Sequence, residues 1–221
     1  MPGRWLRCPC FRESEMRRLG RKSVKSAQFL FAVAMGIFTC TEAQSEPNCI
    51  RSLHDYAIPN VSLEDQNGET VSLPSMVGEN KFVLLDFFYT RCKTVCPIVT
   101  SVFANFQYRL KPDTNRVRIV SITIDPDHDS AGALAIFKTR YRAEPGWTFL
   151  TGSEDKIQRA MNTFSSYTKN KLGFYPLVFL YLPQRHQWIQ FEGYIAVGDL
   201  IEEYIKADDR EQRRIAGIAH P

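Results

Sequence analysis

The chain contains no apolar segment long enough to cross a membrane as a helix. Its longest apolar run, residues 27–39, is shorter than the roughly 20 residues that a spanning helix needs. The run follows a basic stretch and precedes a small residue, Ala43, a pattern typical of an export signal with a cleavage site. We therefore expect residues 1–43 to be a leader, with Met16 as an alternative start. The mature protein is then exported, either periplasmic or anchored through an uncleaved leader so that its domain faces the periplasm.

The region after the leader lacks an excess of basic side chains. Residues 1–25 carry eight of the 28 Lys and Arg residues and two of the 24 acidic ones, which leaves 20 basic and 22 acidic side chains beyond them. A nucleic-acid-binding domain concentrates basic residues on its folded surface. No nucleic-acid partner is therefore expected.

Cysteine is scarce beyond the leader, which holds three of the six cysteines. Cys49 has no obvious partner, and we expect it to be inert. Cys92 and Cys96 lie four positions apart in YTRCKTVCP, between an apolar strand pattern and an amphipathic helix pattern. In an oxidising compartment such a pair rests as a disulfide unless a reductant maintains it.

Repeats and low-complexity segments are also absent, and apolar runs alternate with helical patterns throughout the chain. This alternation predicts an α/β protein with a central mixed sheet flanked by helices. The order is βαβ followed by ββα, which is the thioredoxin layout, and a hairpin around Asn67-Gly68 precedes it. We expect a linker at 44–58, one domain at 59–208 and a frayed polar tail at 209–221. Strands are predicted at 81–89, 116–124, 147–150, 177–182 and 188–194, with helices at about 95–110, 131–141 and 153–167 and a last one from Asp199.

Three kinds of chemistry are open to Cys92 and Cys96. On a helix, positions i and i+4 share a face about 5–6 Å apart, so modest fraying of the first turn permits a disulfide. Reduced, the pair can hold Cu(I), which prefers thiolates. The helix N-terminus, Arg91 and Lys93 favour thiolate and hence attack on another disulfide. A purely stabilising disulfide is disfavoured because the loop it closes is too short to contribute much.

Residues 61–164 carry motifs in an order that resembles the Sco/SenC family, thioredoxin-fold proteins tied to the copper site of cytochrome oxidase. The motifs are SLEDQNG (62–68), FYTRCKTVCP (88–97), SITIDPDHDS (121–130) and GWTFLTG (146–152). The resemblance implies copper binding through both cysteines and a distant histidine that precedes a late strand. It also implies a partner that is a copper-binding protein or its cysteine pair.

The distant histidine of the family is replaced here. Pro176 occupies its position, before the late apolar strand at 177–182, and Lys93 stands where the family often has proline. Loss of an imidazole and gain of an ammonium both disfavour a cation site. Thioredoxin-like oxidoreductases resemble this segment, with a proline that faces the cysteine pair and helps to bind substrate backbone. The substitution therefore favours thiol–disulfide exchange over metal holding, and copper as a cofactor becomes doubtful.

Among the histidines, His128 is the best substitute ligand, because its loop follows the second central strand at the edge where the cysteines emerge. His54 falls in the linker and His186 on a far hairpin turn. Asp125, Asp127 and Asp129 more readily shape the turn and cap the next helix than bind a hard cation, and either Asp129 or Ser130 is expected to be the cap. A peroxiredoxin-type site is disfavoured, because no threonine precedes either cysteine by three residues.

These patterns predict an exported Sco-like protein in which Cys92 attacks, Cys96 resolves and Pro176 helps to hold the substrate. The expected activity is thiol–disulfide exchange in the assembly of a copper protein of the cytochrome oxidase type. One alternative is a copper chaperone that binds through Cys92 and Cys96 with a non-standard third ligand such as His128. A non-enzymatic binding module with a vestigial site is the other.

Overall fold

The computed structural model describes residues 49–78, 80–111, 113–166 and 175–215; for 113, 114 and 209–215 only the backbone is described. The expected leader and cleavage site lie outside these residues. The described residues belong to one compact unit. Its strands are β1 (Cys49–His54), β2 (Ser62–Asp65), β3 (Thr70–Ser72), β4 (Phe82–Phe88), β5 (Val117–Thr123), β6 (Trp147–Thr151), β7 (Leu177–Leu182) and β8 (Gln187–Gly193). Its helices are α1 (Leu73–Val77), α2 (Val95–Arg109), α3 (Ala131–Arg140), α4 (Glu154–Thr163) and α5 (Val197–Ile215), with a 3-10 turn at Asp113–Arg116.

The eight strands form one sheet in the order β1-β8-β7-β4-β5-β6-β2-β3. Strands β4, β5 and β6 run parallel, as the βαβ pattern predicts, and β7, β8 and β1 add antiparallel neighbours on one side. The predicted hairpin forms from β2 and β3 and joins the other end of the sheet through β6. The α/β class and the mixed sheet are therefore confirmed.

Helices cover both faces of the sheet because β4 and β5 are apolar on both sides. Alternate residues of β4 enter two apolar clusters: Leu84 and Phe88 face α2, α3 and α5, whereas Val83 and Phe87 face α1 and α4. None of the helices in the described part of the chain is long and apolar enough to cross a membrane.

Two expectations for the ends of the domain are wrong, and one internal helix was missed. Residues Cys49–His54, assigned to the linker, form the edge strand β1, which pairs with β8 along its whole length. The last helix begins at Val197, two residues early, and continues to Ile215 through much of the expected polar tail. Short α1 was not predicted, because its five residues are too few to show helical periodicity.

Candidate functional site

The two cysteines follow β4, whose seven residues are all buried. After Phe88 the chain turns through residues 89–94 before α2 begins, so Cys92 lies in the turn and Cys96 in the first turn of the helix. The expectation that both cysteines sit on one helical face is wrong for Cys92. Pro97 does lie in the first turn of α2, where its missing N–H is tolerated.

The turn directs hydrogen bonds toward the sulfur of Cys92. The Cys96 N–H donates to Cys92 Sγ across 3.4 Å, and the Thr94 hydroxyl lies 3.8 Å from the same sulfur. The turn itself closes through the Cys92 N–H, which donates to the Tyr89 carbonyl at 3.1 Å. Both cysteines are free thiols in this structure, so it represents the dithiol state.

The environment separates the pKa values of the two thiols. Burial by itself raises the pKa of Cys92, but hydrogen bonds from the Cys96 thiol and from the Thr94 and Cys96 N–H groups outweigh it, and the net shift is downward. Burial raises the pKa of Cys96, and the hydrogen bond with Cys92 and the charge of Asp86 raise it further. Cys92 is therefore the more acidic thiol of the pair, and its sulfur accepts the hydrogen bond of the Cys96 thiol.

Asp86, a residue that the sequence reading passed over, lies on the same face of β4 as the thiol pair. Desolvation by complete burial raises its pKa to about 7, although a hydrogen bond with Ser121 opposes the shift. The Ser121 hydroxyl also accepts from Trp147 Nε1 at 3.0 Å, so its own proton is directed to Asp86. Oxygen Oδ1 of Asp86 has no hydrogen-bond partner among the described residues. A carboxyl that titrates near neutrality and influences Cys96 thus lies beneath the pair.

Two phenols complete the surroundings of the thiols, and neither was predicted. Burial raises the pKa of Tyr89 to about 12, and its hydrogen bond with Cys92 acts in the same direction. Burial also raises the pKa of Tyr141, at the end of α3, and the nearby charges of Cys96 and Cys92 add to the shift. Both side chains therefore remain neutral hydroxyls beside the sulfur atoms.

Asp129 holds the ends of β4 and β5 together beside the site. Its carboxylate is fully buried and accepts from the Thr90 N–H at 3.0 Å, from the Thr90 hydroxyl and from the Thr123 hydroxyl. The side chain that caps α3 is Ser130, which accepts from the Ala133 N–H at 3.3 Å. Asp129 therefore shapes the turn, as expected, and Ser130 is the one of the two expected residues that caps the helix.

The predicted substitute ligand, His128, faces Asp125 instead of the thiols. His128 Nδ1 lies 2.9 Å from Asp125 Oδ1, and Arg91 donates to the other oxygen of the same buried carboxylate at 3.3 Å. Within the described residues no group of three or more His, Cys, Asp or Glu side chains is placed to share a metal ion. The structure therefore does not bring His128 together with Cys92 and Cys96.

Pro176 lies at the end of the sheet from which the cysteines emerge. Strand β7 runs antiparallel to β4 with Val178 opposite Asp86, so the residue two positions earlier is level with Phe88. Pro176 is buried, and its carbonyl accepts from the Gly193 N–H at 3.0 Å. Residues 167–174, which precede it in sequence, lie outside the described residues and contain no His, Cys, Asp or Glu.

The remaining candidates lie apart from the pair. Cys49 begins β1 opposite Gly193, three strands from β4, and its half-buried thiol has a pKa raised by burial and by Asp199. His54 is part of β1 and stacks on Tyr56 with the ring centroids 4.9 Å apart, so its linker assignment is wrong. His186 lies on the β7–β8 turn at the far end of the sheet, as predicted.

Comparison with known proteins relates this chain to a known family. The SCO1/SenC family model matches residues 54–174. The chain is 34% identical over 122 residues to the SCO1 protein homolog of Bacillus subtilis, and the match covers 54% of this chain and 62% of that protein. It is 30% identical over 115 residues to a putative copper-binding protein of Stutzerimonas stutzeri, covering 52% and 54% of the two chains. The chain thus spans less than two thirds of the length of these relatives.

Solved structures give the same fold. The structure of BsSco, described as a member of the Sco family of cytochrome c oxidase assembly proteins with a disulfide switch, is 28% identical with a TM-score of 0.60, over 72% of this chain and 96% of that one. Copper-bound ScoI of Arabidopsis thaliana, at 22% identity and a TM-score of 0.58, covers 67% and 96% and supports the fold alone. The thioredoxin-like Sco fold expected from the sequence is confirmed.

Proposed function

Because the chain belongs to the SCO1/SenC family, we propose that Cys92 and Cys96 carry out thiol–disulfide exchange on the cysteine pair of a copper-binding partner during assembly of a copper site of the cytochrome oxidase type. The observation that carries the proposal is the split between the two thiol pKa values, lowered for Cys92 and raised for Cys96. An attacking thiol needs thiolate character, whereas its resolving neighbour does not until a mixed disulfide has formed.

The exchange begins with the partner oxidised and this protein reduced. The Cys92 thiolate attacks one sulfur of the partner disulfide, so that a mixed disulfide forms and the second partner sulfur leaves as a thiolate. Cys96 then loses its proton and attacks Cys92 Sγ, which releases the first partner sulfur. The partner ends as a dithiol competent to bind copper, and this protein ends with a Cys92–Cys96 disulfide. A dithiol donor in the same compartment resets the pair.

Asp86 is the proposed acceptor for the proton of Cys96. Its Oδ1 atom has no hydrogen-bond partner among the described residues, and its pKa of about 7 leaves a substantial fraction ionised at neutral pH. Once Cys92 has formed the mixed disulfide, it carries no negative charge that could raise the Cys96 pKa. Because this repulsion is gone, Cys96 can lose its proton and attack Cys92 Sγ after the mixed disulfide has formed.

Apolar surface around the pair supports docking of a partner chain. Ile98, Tyr175 and Tyr194 are exposed large side chains on the segments next to Cys96, Pro176 and Gly193. In the docked complex Pro176 would contact the substrate backbone beside the cysteines. Apolar patches of this kind beside a reactive group mark contact sites for other proteins.

Copper chaperoning through the same thiols is the second candidate. A relative 30% identical to this chain is a putative copper-binding protein, and two adjacent thiolates suit Cu(I) as cargo. Under this alternative a group other than a nearby histidine completes the site. Export to the periplasm is proposed for both functions, on the strength of the basic and apolar pattern of residues 1–43.

Exchange with a model copper-site peptide tests the proposal. The reduced protein is mixed with an oxidised peptide that carries two cysteines, and mass spectrometry follows both partners. We expect the peptide to become reduced as Cys92 and Cys96 become oxidised. Cys96→Ser should accumulate the mixed disulfide at Cys92, and Cys92→Ser should be inactive, whereas Cys49→Ser should behave as the parent.

Two outcomes would oppose the proposal. A protein that binds one equivalent of Cu(I) through Cys92 and Cys96 yet exchanges no faster than free cysteine is a chaperone. A protein that does neither, with a disulfide potential below about −300 mV, carries an inert structural pair.

A further inference from the structure

A cavity of about 420 Å³ opens at the end of the sheet opposite the thiol pair. Its lining comes from β1, β8, the β7–β8 turn, α5 and Phe82, the first residue of β4. Six strand positions separate Phe82 from Phe88, so the cavity lies about 20 Å from the end of β4 that leads into the cysteine turn. It takes no part in the exchange proposed above.

The floor of the cavity is apolar. Phe82, Leu182 and Ile189 are buried members of the cluster beneath α5, and they contribute its inner surface. Leu53 adds the outer wall from the edge strand β1 and remains 46% exposed. Pockets for small organic ligands typically have volumes of about 300–1,000 Å³ and a lining of this kind with a few polar groups.

Cationic side chains dominate the rim. Three of the lining residues, Arg51, Arg185 and Lys206, are basic, and Glu203 is the single acidic one. Arg51 donates from Nε to Glu203 Oε2 at 2.9 Å, which occupies one of its five N–H groups. The guanidinium of Arg185 is exposed and has no hydrogen bond or ion pair within the described part of the chain. Lys206 Nζ lies 2.8 Å from Glu202 Oε1, so the unbalanced positive charge of the rim belongs to Arg185, above an apolar floor.

We propose that this cavity binds a small amphipathic carboxylate, such as a medium-chain fatty acid. The alkyl tail lies along Leu53, above the buried Phe82, Leu182 and Ile189, and removes the exposed part of Leu53 from water. The carboxylate accepts charge-assisted hydrogen bonds from Arg185 and from the terminal N–H groups of Arg51, which suit carboxylate oxygens in a forked geometry. A neutral molecule of the same length lacks this second contribution and binds more weakly.

Calorimetric titration of the reduced full chain with decanoate, and separately with decanol, tests the site. We expect one decanoate per chain, with decanol at least about tenfold weaker, since one charge-assisted hydrogen bond is worth about that factor. Arg185→Glu should weaken decanoate binding by a similar or larger factor. Arg140→Glu, which changes an exposed arginine at the end of α3, is the matched control and should leave the affinity unchanged.

Leu53→Glu provides a second variant, because it places a carboxylate on the half-exposed wall and should also weaken decanoate binding. Alkylation of Cys92 serves as the control for folding and should proceed at the parent rate in the Arg185→Glu and Leu53→Glu variants. Absence of decanoate binding to the parent overturns the proposal, as does equal affinity of the Arg185→Glu and Arg140→Glu variants. Equal affinity for decanoate and decanol would reduce the cavity to an apolar surface without anion selectivity.

Discussion

The backbone N–H of Cys96 donates to the sulfur of Cys92 across 3.4 Å. This contact exists because Cys92 lies in the turn before α2 while Cys96 lies inside its first turn. Free N–H groups at a helix N-terminus stabilise negative charge, and here one of them donates to the Cys92 sulfur, which favours its ionised form. The two cysteines are therefore chemically unequal before any partner arrives.

That inequality predicts selective alkylation. At pH 7 iodoacetamide should modify Cys92 at least about tenfold faster than Cys96, because the thiolate is the reactive form. The Cys92 rate should rise with pH around a midpoint below 9.0, the ordinary thiol value from which its pKa is lowered. Mass spectrometry of digested samples measures both rates. In guanidinium chloride the two rates should converge; equal rates in the folded protein would contradict the assignment of roles.

Asp86 predicts a pH-dependent effect on stability. Its pKa of about 7 in the folded protein exceeds the value of about 3.9 in an unfolded chain. Between these two pH values the folded protein holds a proton that the unfolded chain releases. The stability that protonated Asp86 contributes is therefore fully present at low pH, decreases as the pH rises, and is lost once the pH has passed 7. Asp86→Asn lacks the titration. From pH 5 to pH 8 its stability should improve by about 3 kcal/mol relative to the parent.

Guanidinium denaturation of the reduced proteins at each pH measures this difference. Asp127→Asn is the matched control, because Asp127 is an exposed carboxylate on the nearby loop. Its stability should follow the parent across the same range. A constant difference between Asp86→Asn and the parent would show that Asp86 is already ionised at pH 5.

Truncation of the Asp129 side chain is expected to destabilise the protein strongly. Its fully buried carboxylate accepts hydrogen bonds from Thr90, two residues beyond β4, and from Thr123, the last residue of β5. Asp129→Ala leaves the buried Thr123 hydroxyl and the partly buried Thr90 donors without this partner and should lower the free energy of unfolding by about 3 kcal/mol. Asp127→Ala should change it by no more than about 0.5 kcal/mol. A similarly small effect at Asp129 would mean that water replaces the carboxylate.

The sequence could predict the elements whose residues show one clear period. The continuous apolar run of β4 and the alternation of β5 each indicate a buried strand, and their order determines the α/β class. The edge strand β1 was not predicted because Cys49–His54 mixes exposed apolar and polar residues, and its pairing with β8 stabilises it. Short β1 thus depends on tertiary contacts that no local pattern reveals.

The candidate site also has features that the sequence shows and features that depend on tertiary contacts. The cysteine spacing and the position of Pro176 are visible in the sequence, because each is a short motif at a strand end. Asp86 was hidden inside an apolar run, and its importance depends on burial and on the Ser121 hydroxyl of the neighbouring strand. The contact of His128 with Asp125 likewise depends on how the loop folds back, which residue spacing does not determine.

The replacement of the family's distant histidine by Pro176 predicts a gain of copper binding on reversal. Pro176 is level with the end of β4, so Pro176→His brings an imidazole to the side of the two thiolates, a donor set that suits Cu(II) better than thiolates alone. We expect the affinity for Cu(II) to rise at least about tenfold, measured anaerobically by competition with a chelator and by thiolate-to-copper absorption. Tyr175→His is the matched control, since Tyr175 is 56% exposed and should leave the affinity unchanged. Equal affinities for the two variants would mean that the residue at position 176 does not face the thiols, and the preference for redox chemistry over copper binding would lose one of its supports.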